Sequence, residues 1–239
     1  DLLMELINRF CNSFLFWAAW IIIPVLMEIV PSVGSVFVLI KKHIFRRKIV
    51  KPAIDPEISL IVPIYNSMDT LEQCIRSIDE SDYPDEKIRI FLVNNQGQDD
   101  SFQVFCECQQ KYPQLRMQWL NALNLALFNS EGKYIIHIDS DGLLERSAIR
   151  NMVYRFEDDQ SIECMTGVIL TDPKQVQQYP PVMPRILRKI EFMEYAQAFL
   201  AGRNYAAEVN AVYTLSGAFS AFRKSAVLKS QLYNTDTIC

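Results

Sequence analysis

Hydrophobic positions follow two patterns along this chain. Between Phe14 and Ile40 the only ionisable side chain is Glu28, and apolar residues occupy every side of the helix that this segment would form. A helix of that length spans about 40 Å at about 1.5 Å per residue, which predicts one transmembrane helix, with a buried core helix as the alternative. From Glu57 onward, short apolar runs alternate with segments whose apolar residues recur at helical spacing, which predicts an α/β domain.

Basic residues follow the apolar helix directly. The segment KKHIFRRK at 41–48 is followed by Lys51, and no acidic residue lies between Glu28 and Asp55. By the positive-inside rule, this charge predicts that the chain beyond it lies on the cytoplasmic side of the plasma membrane.

We therefore expect two parts, a membrane segment with its basic stretch at 1–51 and a cytoplasmic domain at 52–239. Pro24 and Pro31 are expected to kink the apolar helix or to end its regular part, because proline lacks a backbone N–H. The sequence PSVG, which begins at Pro31, is typical of a turn between two short spans, but a single crossing is favoured because few apolar residues follow it.

Four strand-like runs are each followed by a helix-like segment. The strand-like runs are ISLIVPIY, KIRIFLVNN, LRMQWL and KYIIHID, and the run IECMTGVIL follows the last helix. This alternation predicts a mostly parallel sheet with helices on both faces, and ligands of such sheets bind at the carboxyl ends of the strands. Polar residues stand at three of those ends, namely Tyr65–Asn66, Asn94–Asn95 and Asp139–Ser140–Asp141.

The connection after LRMQWL is unusually short. The helix-like segment NALNLALFNS follows at once, although a parallel crossover normally has a few loop residues at each end. Either the strand is misassigned or the natural chain has further residues near 120, and the second interpretation is favoured.

Asp139 and Asp141 end a strand that is apolar throughout. Two like charges at a buried strand end are unfavourable unless a cation lies between them. Carboxylate oxygens suit a hard divalent cation, Mg²⁺ or Mn²⁺, which keeps water ligands and also binds substrate phosphates. His137, two residues earlier, is expected to be a packed neutral histidine and not a ligand.

Composition narrows the classes of function. The net charge is −4, and the chain has no long basic patch outside residues 41–51, so nucleic acid is not an expected partner. The six cysteines show no CxxC pair and there are only two histidines, which indicates reduced thiols in apolar surroundings and no zinc site.

Four motifs in order, ISLIVPIYNSMDTLEQCIRSI, IFLVNNQGQDDS, ALNLAL with GKYIIHIDSDG, and LSGAFSAFRKSAV, resemble the inverting family 2 glycosyltransferases of GT-A fold. The transmembrane start is similar to the membrane-anchored branch that contains cellulose, hyaluronan and poly-N-acetylglucosamine synthases, and to the exosortase-associated glycosyltransferases of Gram-positive bacteria. The resemblance implies a nucleoside diphosphate sugar as donor, with a UDP-sugar expected, and a glycan or a lipid-linked molecule at the membrane as acceptor.

The same resemblance assigns residues to the donor. Pro63, Tyr65 and Asn66 would line the nucleoside pocket. Asn95 stands where the family usually has an aspartate that accepts a hydrogen bond from uracil, and an amide oxygen can still accept that bond. Asp99 matches the aspartate that closes this motif, with helix capping as the alternative.

On the diphosphate side, the resemblance implies that Asp139 contacts the ribose or diphosphate and binds the metal, with Asp141 as the main metal ligand. Ser216 and Gly217 match the small-residue element beside the sugar and acceptor, with a plain turn as the alternative. The general base of the family follows this element in a TED-like motif. Asp236 is the only nearby carboxylate and is not expected to be the base, so we expect that motif beyond Cys239 and interpret the chain as C-terminally incomplete.

Three assignments stay open. The helix-like segment from Ile186 to Ala207 either lies along the membrane or packs on the sheet, and the resemblance places it near the acceptor. Arg223 and Lys224 are expected to be solvated. Two rival functions remain: a haloacid dehalogenase-like phosphatase, disfavoured because its DxDG element stands on the first strand, and an inactive membrane-anchored nucleotide-sugar-binding subunit.

Overall fold

The computed structural model describes residues 2–45, 50–171, 182–212 and 214–230. Contacts between residues divide the chain into two units. The first unit consists of Asp1–Arg47 and Ile169–Tyr213, and the second of Lys48–Val168 and Thr214–Cys239. This grouping joins residues 169–213 to the N-terminal segment, whereas the division at residue 51 stays a prediction.

The N-terminal segment is one helical run with an irregular turn in its middle. Helix α1, Leu2–Pro24, continues through a π-helical turn, Val25–Ile29, into α2, Val30–Ile44. The wider turn lies between Pro24 and Pro31, where proline cannot supply the regular hydrogen bond, so the regular α-helix is interrupted but the chain does not reverse. The hairpin alternative is therefore wrong.

Length and composition make Leu3–Ile44 the one helix, among the described residues, that could cross a membrane. Its apolar side chains are mostly exposed, including Trp17 and Trp20. A signal sequence or the core helix of a soluble protein would satisfy the same two criteria.

A second helical segment completes the first unit. It comprises α7, Val182–Ala196, a π-helical turn, Gln197–Gly202, and α8, Arg203–Glu208. Helix α8 packs against α2, where Lys41 Nζ lies 3.0 Å from Glu208 Oε2 and Lys42 Nζ donates to Asn204 Oδ1 at 2.8 Å. The Tyr205 ring fills the space beside Gly34, because a Cβ on that glycine would lie 2.3 Å from the ring.

The second unit contains a six-stranded sheet. Its strands are β1, Ile58–Ile64; β2, Ile88–Asn94; β3, Arg116–Leu120; β4, Tyr134–Ile138; β5, Cys164–Thr166; and β6, Phe219–Arg223. The order is β3-β2-β1-β4-β6-β5, in which β1 to β4 are parallel and β6 runs antiparallel to both of its neighbours. The predicted α/β fold with a mostly parallel sheet is confirmed.

Helices cover both faces of this sheet, and residues of β1 are therefore buried on both faces. Leu60 and Val62 point into a core shared with α3, Leu71–Asp79, α4, Ser101–Lys111, and α6, Ala148–Asp158. Ile61 points to the opposite face and packs with residues of α5, Leu123–Asn129, and with Val227 of α9, Lys224–Lys229. Apolar side chains on both faces explain the continuous hydrophobic run of β1.

The short connection near residue 120 is accommodated. Strand β3 is present and pairs with β2, so its misassignment is excluded, and Asn121 and Ala122 alone separate it from α5. Further residues in the natural chain at this point stay a prediction.

Two basic neighbours in LSGAFSAFRKSAV differ in their environment. Arg223 is buried, and its guanidinium donates to the carbonyl oxygens of Ile162, Phe156 and Asp159. The expectation that Arg223 is solvated is therefore wrong. The sequence around Arg223 could not predict these acceptors, because they lie in a loop and at a helix end more than 60 residues earlier in the chain.

Candidate donor site

A cleft of about 390 Å³ opens where β1 and β4 end. Five predicted site residues line it, namely Pro63, Tyr65, Asn66, Asp139 and Asp141, together with Ser67, Thr70 and Ser140. The parallel pairing of β1 with β4 explains why segments more than 70 residues apart form one wall.

The turn after β1 is held by the turn after β2. Asn66 has a left-handed backbone with φ 48°, and its Oδ1 accepts a hydrogen bond from Gln98 N at 2.9 Å. A Cβ on Gly97 would lie 3.0 Å from Asn66 N, so the two turns approach closely. Asn94 Oδ1 accepts from Gly97 N at 3.1 Å, which gives the first residue of NNQG a structural task.

Tyr65, by contrast, is 64% exposed and leaves its ring available to a ligand. Asn95 is also exposed at the end of β2, where its backbone N donates to Ile64 O at 2.8 Å. Its side chain is not among those that line the cleft.

Asp99 uses both carboxylate oxygens within the protein. Oδ1 accepts from Ser101 N at 3.2 Å and from Ser101 Oγ at 2.6 Å, and Oδ2 accepts from Met68 N at 2.8 Å. The Ser101 hydroxyl is the main cause that lowers the pKa of Asp99. These hydrogen bonds tie the start of α4 to the turn after β1, and Asp100, not Asp99, stands at the N-cap position of that helix.

The two aspartates occupy a tight turn after β4. Asp139 is half-buried, its N donates to Ala218 O at 3.1 Å, and its O accepts from Gly142 N at 2.9 Å, whereas Asp141 is exposed. Burial, and next the charge of Asp141, raise the pKa of Asp139. A cation bound between the two carboxylates would stabilise their ionised forms.

The two carboxylates suit Mg²⁺ or Mn²⁺ as a cation that protein and substrate would bind together. Among the residues that the structure describes, no group of three or more His, Cys, Asp or Glu side chains could hold a metal ion. Asp139 and Asp141 would therefore need additional oxygen ligands from water and from a bound phosphate group, as is usual for Mg²⁺.

The predicted acceptor-side element lies close to the aspartate turn through its backbone. Ser216 N donates to Thr166 Oγ1 at 3.3 Å, and Ala218 O accepts from Asp139 N. A Cβ on Gly217 would meet no atom of the described residues within 4 Å, so the space on that side of the glycine is open. Neither Ser216 nor Gly217 lines the cleft itself.

Serines are the residues that sequence reasoning did not assign. Ser67 Oγ and Ser140 Oγ lie 2.6 Å apart, and Ser67 N donates to Ser101 Oγ at 3.0 Å. Ser140 and Ser101 each directly follow an aspartate, and Ser67 is the third residue after β1, which was the available signal. Their contacts with one another depend on strand order and could not be derived from spacing.

His137 on β4 is buried against the Phe222 ring, with the ring centroids 5.8 Å apart. Burial lowers its pKa to about 4, so the imidazole is neutral near pH 7. The predicted packed neutral histidine is confirmed by its burial.

One protein-family model matches the part of the chain that carries both the sheet and the four motifs. A model described as Glycosyl transferase family 2 matches residues 59–229, which is more than half of the chain. The chain belongs to glycosyl transferase family 2.

This family 2 glycosyltransferase has curated relatives in staphylococci. It is 26% identical to the poly-beta-1,6-N-acetyl-D-glucosamine synthase of Staphylococcus aureus (strain MSSA476), over 96% of this chain and 54% of the relative. It is 24% identical to the synthase of the same name from Staphylococcus epidermidis, over 90% of this chain and 52% of the relative. The chain thus spans about half the length of the curated relatives it matches.

Solved structures share the fold of this glycosyltransferase. The mannosyltransferase PcManGT from Pyrobaculum calidifontis, in complex with GDP-Man and Mn²⁺, has a TM-score of 0.60 at 19% identity, over 85% of this chain and 56% of that one. S. aureus TarS 1–349, in complex with UDP, has a TM-score of 0.50 at 18% identity, over 74% of this chain and 49% of that one.

Proposed function

We propose that this glycosyltransferase transfers a sugar, with inversion, from a nucleoside diphosphate sugar to a growing glycan or lipid-linked acceptor. UDP is the proposed nucleotide. The observation that carries the proposal is the cleft, in which exposed Tyr65 and the turn at Asn66 face the same opening as Asp139 and Asp141. This arrangement suits a ligand with an aromatic base at one end and a diphosphate at the other.

Within this proposal, Asp139 and Asp141 bind Mg²⁺ or Mn²⁺ together with the diphosphate. The cation would neutralise the charge of the nucleoside diphosphate and so make it a better leaving group. The raised pKa of Asp139 supports this role, because burial, and next the charge of Asp141, disfavour its charged form, which a bound cation would stabilise. The Mn²⁺ in the mannosyltransferase of similar fold supports it as well.

We also propose that the protein is anchored in the plasma membrane. The apolar helix Leu3–Ile44 and the basic residues at its end support anchoring in the plasma membrane with the donor cleft on the cytoplasmic side. The staphylococcal synthases support the membrane-anchored, polysaccharide-synthesising branch of the family, and the exosortase-associated group is a finer proposal within that branch.

Nucleotide titration tests the donor site. The full chain in detergent is titrated with UDP and with uridine, each with and without Mn²⁺, by calorimetry. We expect Mn²⁺ to tighten binding of UDP at least tenfold, a change of about 1.4 kcal/mol, and to leave uridine unaffected because uridine has no phosphate. Asp141→Ala should abolish the Mn²⁺ effect, while the control Glu80→Ala, an exposed carboxylate outside the cleft, should keep it.

Two outcomes contradict the site. One is the absence of UDP binding both with and without metal, and the other is an unchanged Mn²⁺ effect in Asp141→Ala. Tighter binding of GDP than of UDP would keep the site assignment but change the proposed nucleotide. The nucleotide is open to this correction because NNQG has Asn95 where the family has the aspartate that contacts uracil.

A nucleotide-sugar-binding subunit without transfer is the second candidate. It is favoured by one observation, namely that the only carboxylates lining the cleft, among the residues that the structure describes, are the two aspartates assigned to the metal. Release of UDP when the same preparation is incubated with UDP-N-acetylglucosamine and membranes would exclude this candidate, because pure binding releases no UDP.

A further inference from the structure

Ser67 lies between the two halves of the candidate donor site. It directly follows Asn66 in the turn after β1, it is 5% exposed, and its hydroxyl lies 2.6 Å from the hydroxyl of Ser140. Ser140 stands between Asp139 and Asp141 in the sequence. This bond therefore joins the turn that carries Tyr65 and Asn66 to the turn that carries the two aspartates.

The position of Ser67 is itself fixed from a third strand end. Ser67 N donates to Ser101 Oγ at 3.0 Å, and Ser101 Oγ donates to Asp99 Oδ1 at 2.6 Å. Asp99 Oδ2 closes the arrangement by accepting from Met68 N at 2.8 Å. A continuous series of hydrogen bonds thus runs from the start of α4, beyond β2, through the turn after β1, to the aspartate turn after β4.

The contact with Ser140 is not needed to satisfy Ser67. The Ser67 hydroxyl can donate to Tyr65 O at 3.2 Å, so the buried group has a local acceptor. A hydroxyl carries one proton, so in that arrangement Ser140 donates to Ser67. The bond then restrains Ser140, which otherwise belongs to a half-buried turn open to the cleft.

We infer that Ser67 is a positioning residue, whose hydroxyl holds Ser140 and thereby couples the nucleoside side of the cleft to the metal-binding turn. The inference rests on the proposed function. Because the bond keeps Asp139 and Asp141 in a geometry matched to the nucleotide-binding turn, nucleotide and cation strengthen the binding of each other. Asp99 contributes through Ser101 and Ser67 and not by contact with the donor.

This role differs from that of an ordinary buried serine. Loss of a structural hydroxyl lowers stability but does not change how strongly Mn²⁺ improves UDP binding. Loss of the coupling bond reduces this improvement specifically. UDP binding without metal is compared separately, because Ser67→Ala also removes the hydrogen bonds of its hydroxyl with Tyr65 N and Tyr65 O.

The test is a double-mutant cycle on the full chain in detergent. The ratio of UDP dissociation constants without and with Mn²⁺ is measured for wild type, Ser67→Ala, Ser140→Ala and the double variant. Ser130→Ala is the matched control, since Ser130 is also a buried serine, whose hydroxyl donates to Ala126 O at 2.7 Å away from the cleft. Ser140→Thr keeps a hydroxyl and serves as the conservative variant.

We expect each single alanine variant to lower the ratio about fivefold, the usual effect of one hydrogen bond. The double variant should lower it no further than the single variants, because both remove the same bond. Ser130→Ala and Ser140→Thr should keep the wild-type ratio. Should Ser67→Ala fail to fold, Ser140→Ala and Ser140→Thr decide the question from the other end of the bond.

A wild-type ratio in Ser67→Ala, or independent addition of the two single effects, overturns the inference and leaves the proposed function intact. A wild-type protein whose UDP binding does not respond to Mn²⁺ overturns the proposed metal role, and the inference with it. The two failures are distinguishable because only the second occurs in the unmutated protein.

Discussion

Arg223 offers a direct test of how the last strand of the sheet is held. Its Nε donates to Ile162 O at 2.6 Å, and its Nη2 donates to Phe156 O at 2.5 Å and to Asp159 O at 3.0 Å. Nη1 donates to Tyr134 Oη at 3.2 Å. The guanidinium carbon also lies 5.2 Å from the centroid of the Phe156 ring. One side chain therefore joins β6 to β4, to the end of α6 and to the loop before β5.

Replacement by methionine keeps much of the length and removes the charge and every donor. The carbonyl oxygens of Ile162, Phe156 and Asp159 then lose a charged hydrogen-bond donor, and a buried polar group left without a partner costs about 1–3 kcal/mol. Summed over these acceptors, we expect Arg223→Met to lower the free energy of unfolding by about 4 kcal/mol. Arg223→Lys should cost about 2 kcal/mol, because an ammonium keeps the charge but lacks the planar fork.

Lys224 is the matched control, since it is the next residue and carries the same charge. Its backbone N donates to Lys133 O, a bond that a change of side chain preserves. Lys224→Met should therefore change stability by less than about 0.5 kcal/mol. Urea unfolding is followed by the fluorescence of Trp119, the one tryptophan in the second unit, in a background where Trp17 and Trp20 are phenylalanine.

The outcome that refutes this reasoning is a pair of similar effects at Arg223 and Lys224. Equal small losses would mean that Arg223 is solvated in the folded protein, as the sequence pattern alone predicts. Equal large losses would mean that charge near the start of α9, and not the buried hydrogen bonds, stabilises this region.

Three further predictions follow from burial. Burial lowers the pKa of His137 to about 4 in the folded state, so the unfolded chain binds more protons between about pH 6.5 and 4. The free energy of unfolding should therefore fall by up to about 3 kcal/mol as the pH is lowered through that window. Urea unfolding at pH 7 and pH 5 measures this change, and His137→Gln should remove most of it. Gly132→Ala places a Cβ 2.6 Å from the backbone of Ile58 and should cost about 3 kcal/mol by the same assay, and a loss below about 0.5 kcal/mol would contradict the close approach. Burial, with the charges of Asp141 and Asp139, raises the pKa of the Cys74 thiol to about 12. A maleimide should therefore label exposed Cys164 and spare Cys74 in the folded protein. Mass spectrometry of tryptic peptides should show both cysteines labelled after unfolding.

The strands and helices of the second unit were predictable because each is encoded by a local pattern. The apolar run of β1 and the helical spacing of α3 and α6 indicate burial directly, and both kinds of element occur where the pattern predicts them. Strand β5 is shorter than its apolar run, because the chain after Gly167 no longer pairs with β6.

The candidate site was predictable in part for the same reason. Polar residues that directly follow apolar strands mark the carboxyl ends of a parallel sheet, which brought Tyr65, Asn66, Asp139 and Asp141 to one cleft. Asp99 was harder to assign, because the sequence shows a carboxylate but not the donors that occupy it. Those donors, Ser101 and Met68, are supplied on two different turns.

Local residue patterns predict the strands and helices, the parallel character of the sheet and the residues at its ligand-binding edge, since hydrophobic period and strand-end polarity are local properties. The position of β6 between β4 and β5, the burial of Arg223 and the contact of Ser67 with Ser140 follow only from the folded chain. Each of these depends on segments far apart in the chain coming within contact distance. The energy of such contacts depends on the path of the whole backbone, which no local pattern of residues specifies.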